Sequence, residues 1–248
     1  MVIWLFAGGG QSEIGTSQGR VGGLVNFFRK WYGNCRFVRK TPVRRPPAPK
    51  ANRARSAHGR TGSSLVKEVR ERLVLSLRYD EPCDIILVLD DLDCRDAAPS
   101  RQRLLKAVEA ALGERQIERF VGFAAPELEA WLIADWDHSF GEHPDFRGQR
   151  QQGMRHWLST VGNVPFDNPE TFGNYDAERD ACSEKLSDTI IESTVQGTHN
   201  TGRSPYSKSM HTPAMLLSIN PELVAQRCRP MFQELHEFLV SRCTFNRG

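Results

Sequence analysis

At 248 residues the chain can bury one substantial core with an appended subdomain, and its 39% hydrophobic and 25% charged residues are those of an ordinary globular protein. No stretch approaches the roughly 20 apolar residues of a membrane-crossing helix, and the apolar start from Met1 to Phe6 meets glycine too soon to be a secretory leader. The formal charge of +3 is unevenly placed: Lys40, Arg44, Arg45, Lys50, Arg53, Arg55 and Arg60 follow one another with no acid among them, and without these seven the rest of the chain carries −4.

The six cysteines, Cys35, Cys83, Cys94, Cys182, Cys228 and Cys243, show no CxxC spacing, which argues against a structural zinc site or a compact disulfide framework. Free thiols in a reducing cytosol, and hence a soluble cytoplasmic protein, are the expectation.

In chain order, Val2 to Phe6 reads as a strand, followed by a glycine turn through Gly8, Gly9 and Gly10. Val21 to Trp31 has helical spacing, with Val21, Leu24, Val25 and Phe28 on one face, and Arg36 to Val38 suits a short second strand. The proline-rich basic segment over 40–62 reads as a loop, because such composition buries little apolar surface. A helix capped by Ser63 or Ser64 carries Leu65, Val66, Val69, Leu73 and Leu77.

The run Ile85, Ile86, Leu87, Val88, Leu89 is a strand buried on both faces, and it leads straight into Asp90, Asp91, Leu92 and Asp93. Ser100 to Leu112 predicts a helix stopped by Gly113, and Phe120 to Phe123 a further strand. Glu127 to Ala134 reads as a helix with Pro126 at its first position. Short helices joined by loops are expected between His138 and Asn200, and an amphipathic helix begins near Pro230. The alternation predicts an α/β fold: a mostly parallel sheet between helices over residues 1–137, with an irregular, largely helical C-terminal extension over 138–248 packing on it.

Three constellations bear chemistry. Asp91 and Asp93, one residue apart where a strand ends, suit a hard cation such as Mg²⁺ or Mn²⁺, or else form a plain Asp-rich turn. GGGQSE from Gly8 to Glu13 lets the backbone approach a phosphate and places Glu13 on the same sheet edge. PELEAW from Pro126 to Trp131 offers Glu129 as another carboxylate, though the helix dipole alone also favours acids there. Farther on, Lys208 beside Tyr206 could reach back over the edge to neutralise a phosphate, or stay solvated.

Taken in this order, GQSE, LDDLD and PELEAWLIAD resemble motifs of the Toprim-like family, which includes topoisomerase and primase catalytic domains and nucleases of the OLD and RloB type. The resemblance implies a Toprim-like fold and metal-dependent phosphodiester hydrolysis. Glu13 would act as general acid or base, in place of the acid that Ala7 does not supply at the strand end. Asp91 and Asp93 would hold Mg²⁺ (or Mn²⁺) with Glu13 as a further carboxylate at the metal, Glu129 would support a second metal, and Lys208 would be the C-terminal lysine. It also implies DNA or RNA as partner, an effector role in antiviral defence and an ABC-type ATPase beside it. Arg44, Arg45, Lys50, Arg53, Arg55 and Arg60 would then hold flanking phosphates.

Two other readings compete. Gly10 to Gly15 has the spacing of a phosphate loop, but Thr16 follows Gly15 directly, so the phosphate lysine is missing. Alternatively, the chain is a non-catalytic subunit that binds nucleic acid or a partner.

Overall fold

The computed structural model describes residues 1–8, 23–42, 60–79, 81–196 and 205–246. Its centre is a parallel four-stranded sheet built from β1 (Val2–Ala7), β3 (Arg36–Arg39), β4 (Ile85–Asp91) and β5 (Glu118–Ala124), in the spatial order β3-β1-β4-β5. The first and third sheet strands of the chain are therefore neighbours, with later strands added on one side and the second on the other. In open α/β sheets this reversal leaves a crevice outside the carboxyl ends of the two central strands. Here those ends are Ala7 with Gly8 and Asp90 with Asp91.

Alternation along each strand fills two cores. Trp4, Phe6, Ile86, Val88, Val121 and Phe123 face α2 (Gly62–Arg78) and α3 (Ala97–Leu112), which return Leu65, Val69, Leu73, Leu104, Val108 and Leu112. Ile3, Leu5, Leu87 and Leu89 face the other way, onto α1 (Leu24–Trp31), α4 (Glu129–Ala134) and α9 (Met231–Val240). That second core continues without a gap into α5 (Gln149–Thr160), α6 (Leu186–Gln196), α7 (Lys208–Ser218) and α8 (Pro221–Arg227) through Met154, Leu158, Ile190, Leu216 and Val224.

Two short antiparallel pairs complete the chain: β2 (Tyr32–Gly33) with β8 (Thr244–Phe245), and β6 (Tyr175–Asp176) with β7 (Ala181–Cys182). No helix among the described residues is long and apolar enough to cross a membrane.

Several expectations are corrected. Two disulfides form, Cys35–Cys243 and Cys94–Cys182, leaving Cys83 and Cys228 as thiols. Partners 208 and 88 residues apart leave no local spacing to read; the fold alone brings them together. α2 begins at Gly62 after Thr61, before either expected serine cap. α3 begins at Ala97, because the Asp96 carboxylate accepts the Ala98 N–H and takes the cap ahead of Ser100. Pro126 does not open α4: the helix starts at Glu129, so Glu127 belongs to the loop and Glu129 to the first turn. Val21 lies outside the described residues, and α1 begins at Leu24.

Candidate active site at the sheet edge

β4 ends later than its apolar run. Asp90 and Asp91 are still strand residues, paired with Phe123 and Ala124 of β5, so their side chains leave on opposite faces. Asp90 turns toward α2 and is buried, and the Gly62 N–H donates to its Oδ2 at 2.8 Å. Its Oδ1 has no hydrogen-bond partner among the described residues, and burial pushes the carboxyl up to about 7. Gly8 sits directly above it. A Cβ there would lie 2.4 Å from the Arg60 carbonyl and 2.8 Å from Asp90 Oδ1, so only glycine fits.

Asp91 turns toward α4 and accepts the Leu128 N–H at 3.1 Å. One bond thus fixes the end of β4 against the turn that carries Glu127 and Glu129. A cavity of about 10 Å³, lined by Gly8, Leu24, Asp90, Asp91, Ala124 and Leu128, lies in the crevice between β1 and β4. It has room for a group of about the size of a single water.

Beyond the strand the chain turns sharply, with positive φ at Asp93 (50°) and Cys94 (60°). Aspartate tolerates that region better than most residues. The Asp93 N–H donates to the Pro126 carbonyl at 2.9 Å, and Arg95 donates to Asp93 Oδ2 at 2.7 Å. Arg95 also lies 3.7 Å from Asp180, on the β6–β7 hairpin that the Cys94–Cys182 disulfide ties to this turn. Burial pushes the Asp93 carboxyl above its ordinary value; Arg95 opposes the shift, Glu127 adds to it, and Lys185 and Lys208 oppose it.

The second pair of acids is arranged differently. Glu129 is fully buried, with Lys208 Nζ 2.8 Å from its Oε2 and the Tyr206 hydroxyl donating to its Oε1 at 3.2 Å. Thr212 also donates to that oxygen at 3.4 Å and is hydrogen-bonded to the Tyr206 hydroxyl. Glu127 Oε2 accepts the Ser187 N–H at 2.9 Å, and its Oε1 is 3.8 Å from Lys208.

Lys208 opens α7, where the helix dipole disfavours a cation, so its position is set by the two glutamates rather than by its own helix. The phenol of Tyr206, wholly buried, is pushed well above its ordinary value by desolvation and then by Glu129.

Of the residues expected at the edge, the structure brings Asp91, Asp93, Glu127, Glu129, Tyr206 and Lys208 together around the ends of β4 and β5. Glu13 and the basic residues Arg44, Arg45, Lys50, Arg53 and Arg55 lie outside the described residues. Arg60 is described, with its carbonyl packed against Gly8. Among the described residues no three His, Cys, Asp or Glu side chains form a group able to hold a metal. Sequence reasoning missed Arg95 and Thr212. Arg95 had a usable signal, a cation two residues after Asp93, whereas Thr212 had none.

No curated protein and no solved structure matches the chain. A model of the DUF4276 family, a domain of unknown function, matches residues 28–240, a span that includes Asp91, Asp93, Glu127, Glu129 and Lys208 and leaves out Glu13. The chain belongs to the DUF4276 family.

Proposed function

We propose that this protein is a metal-dependent phosphodiesterase acting on nucleic acid, a nuclease of the Toprim-like kind. The carrying observation is that Lys208, 117 residues beyond Asp91 in the chain, lies against the acids that follow β5 while Asp91 is hydrogen-bonded into the same turn. An anionic strand end and a distant cation are thus gathered at the carboxyl edge of a parallel sheet.

The donor chemistry fits a hard cation in part. Asp91 and Asp93 supply anionic oxygens of the kind Mg²⁺ and Mn²⁺ prefer, and each is held in place, by the Leu128 N–H and by Arg95. Glu129 does not fit as a ligand, since its carboxylate is enclosed by Lys208, Tyr206 and Thr212. The proposal therefore assigns Asp91 and Asp93 as ligands, with Glu13 the third carboxylate implied by the family resemblance. Glu129 becomes the anchor of Lys208. The chemistry such a cation supplies when bound is charge neutralisation of a phosphate and activation of a water.

The chain's own residues do the rest. Arg95 opposes the upward push of burial on the Asp93 carboxyl and orients it, and the Leu128 N–H holds Asp91. Lys208, a third exposed at its side chain, adds positive charge where a phosphate oxygen would build up negative charge. The same resemblance supports an ABC-type ATPase as partner and a defence role.

Incubation of the full chain with end-labelled DNA and RNA, single- and double-stranded, in Mg²⁺ or Mn²⁺ tests the proposal. Cleavage lost with EDTA and in Asp91→Ala is expected. Tight ATP binding with hydrolysis and no cleavage, or cleavage unchanged in Asp91→Ala, would overturn it.

A further inference from the structure

Beside the turn after β4, the β6–β7 hairpin and the start of α3 enclose a cleft of about 450 Å³ whose lining includes Arg95, Asp96, Ser100, Arg103, Tyr175 and Asp180. Clefts of roughly 300–1,000 Å³ accommodate small ligands. Tyr175, a residue of this cleft, is 50% exposed, and its hydroxyl donates to Asp180 at 3.0 Å, which restrains the ring. Arg103 is exposed, hydrogen-bonds Ser100 Oγ at 3.1 Å and forms no ion pair with another described residue. Arg95 lines the same cleft and bonds Asp93, so the cleft adjoins the proposed cleavage site. The Cys94–Cys182 disulfide ties the hairpin to the turn after β4.

We propose that this cleft is a subsite for one unpaired base, stacked on Tyr175, and its adjoining phosphate, held by Arg103, so that the nucleic acid recognised next to the site is single-stranded. The inference rests on the nuclease reading and names its substrate class. An exposed aromatic face with guanidinium groups around it is the combination that binds unpaired nucleotides without regard to sequence. In a duplex the base faces are already stacked on their neighbours and would have to be extruded first. The negative groups of the cleft are engaged within the protein: Asp180 by the Tyr175 hydroxyl and Arg95, and Asp96 by the Ala98 N–H.

The test is fluorescence anisotropy with labelled oligo-dT, oligo-U and a duplex of equal length, in EDTA and low salt, using the full chain carrying Asp91→Ala so that no cleavage intervenes. Adding Tyr175→Ala should weaken single-strand binding about 10-fold or more and leave duplex binding unchanged, while Tyr175→Phe keeps the affinity. Arg103→Ala should lower the slope of log affinity against log salt by about 1.

Equal single-strand affinity with and without Tyr175→Ala, a matching loss for the duplex, or no binding to any oligonucleotide would overturn the subsite. Because Tyr175 lies at the surface, its variants should keep the parent's circular dichroism spectrum. The two readings separate cleanly. Cleavage by the wild-type chain that Tyr175→Ala leaves untouched would sink the subsite alone, and Tyr175-dependent binding without cleavage in any divalent ion would sink the nuclease alone.

Discussion

The two strands at one end of the sheet each finish in a pair of acids separated by one residue, and the pairs are put to different uses. After β4, Asp91 and Asp93 are partly exposed; among the described residues Asp91 accepts the Leu128 N–H and Asp93 accepts from Arg95. After β5, Glu127 and Glu129 are buried, and Glu129 is closed in by Lys208, Tyr206 and Thr212. Similar spacing in sequence therefore gives one pair that presents oxygens at the edge and one that fastens the C-terminal helices to the sheet. The difference arises from what folds over each pair: Lys208 and Thr212 of α7, with Tyr206 from the segment just before it, close over Glu129, and the β6–β7 hairpin brings Asp180 toward Arg95.

The largest effect should come from breaking the buried pair. Lys208→Met leaves Glu129 charged in the interior without its counter-ion, a loss of about 3–5 kcal/mol in unfolding free energy. Chemical denaturation measures it, and the double variant Glu129→Gln with Lys208→Met should recover most of the loss. A stable single variant would erase the contrast between the two pairs.

The pair after β4 should behave in the opposite way. Asp93→Asn preserves a side chain that tolerates positive φ, so stability should change by less than about 1 kcal/mol. Metal-dependent cleavage should nevertheless fall about 100-fold or more. A loss of melting temperature in step with activity would place Asp93 among the structural acids.

Glu170 sharpens the comparison as a half-buried acid with no ion-pair partner among the described residues. Its carboxylate accepts the N–H groups of Met231 and Phe232 at 2.9 and 2.8 Å, and burial pushes it up to about 7 from 4.5. The folded chain holds that proton more tightly than the unfolded one, so its contribution is present below pH 4.5 and is lost as pH rises through about 7. Unfolding free energy of the parent should fall by about 1–3 kcal/mol more than that of Glu170→Gln between those limits. Parallel pH profiles would contradict this.

Local pattern carried much of the fold. The branched apolar run from Ile85, the spacing of Leu65, Val69 and Leu73, and Gly113 as a helix stop are all signals within a few residues, and each corresponds to an observed element. The start of α4 was not legible, because its register depends on how the turn after β5 docks on Asp91 and Asp93 rather than on Pro126. The disulfides and Thr212 were hidden for a related reason, whereas Lys208 and Tyr206 were legible as residues reaching back to the edge but not as partners of Glu129. Cys182 and Thr212 have no local relation to Cys94 or Glu129, and only long-range packing of the β6–β7 hairpin and of α7 creates it.

Isothermal titration of the full chain with Mn²⁺ tests the division between the two pairs most directly, comparing wild type, Asp93→Asn and Glu129→Gln once circular dichroism has shown each to be folded. The account predicts binding to wild type and to Glu129→Gln and none to Asp93→Asn. Binding that survives in Asp93→Asn and vanishes in Glu129→Gln would contradict it.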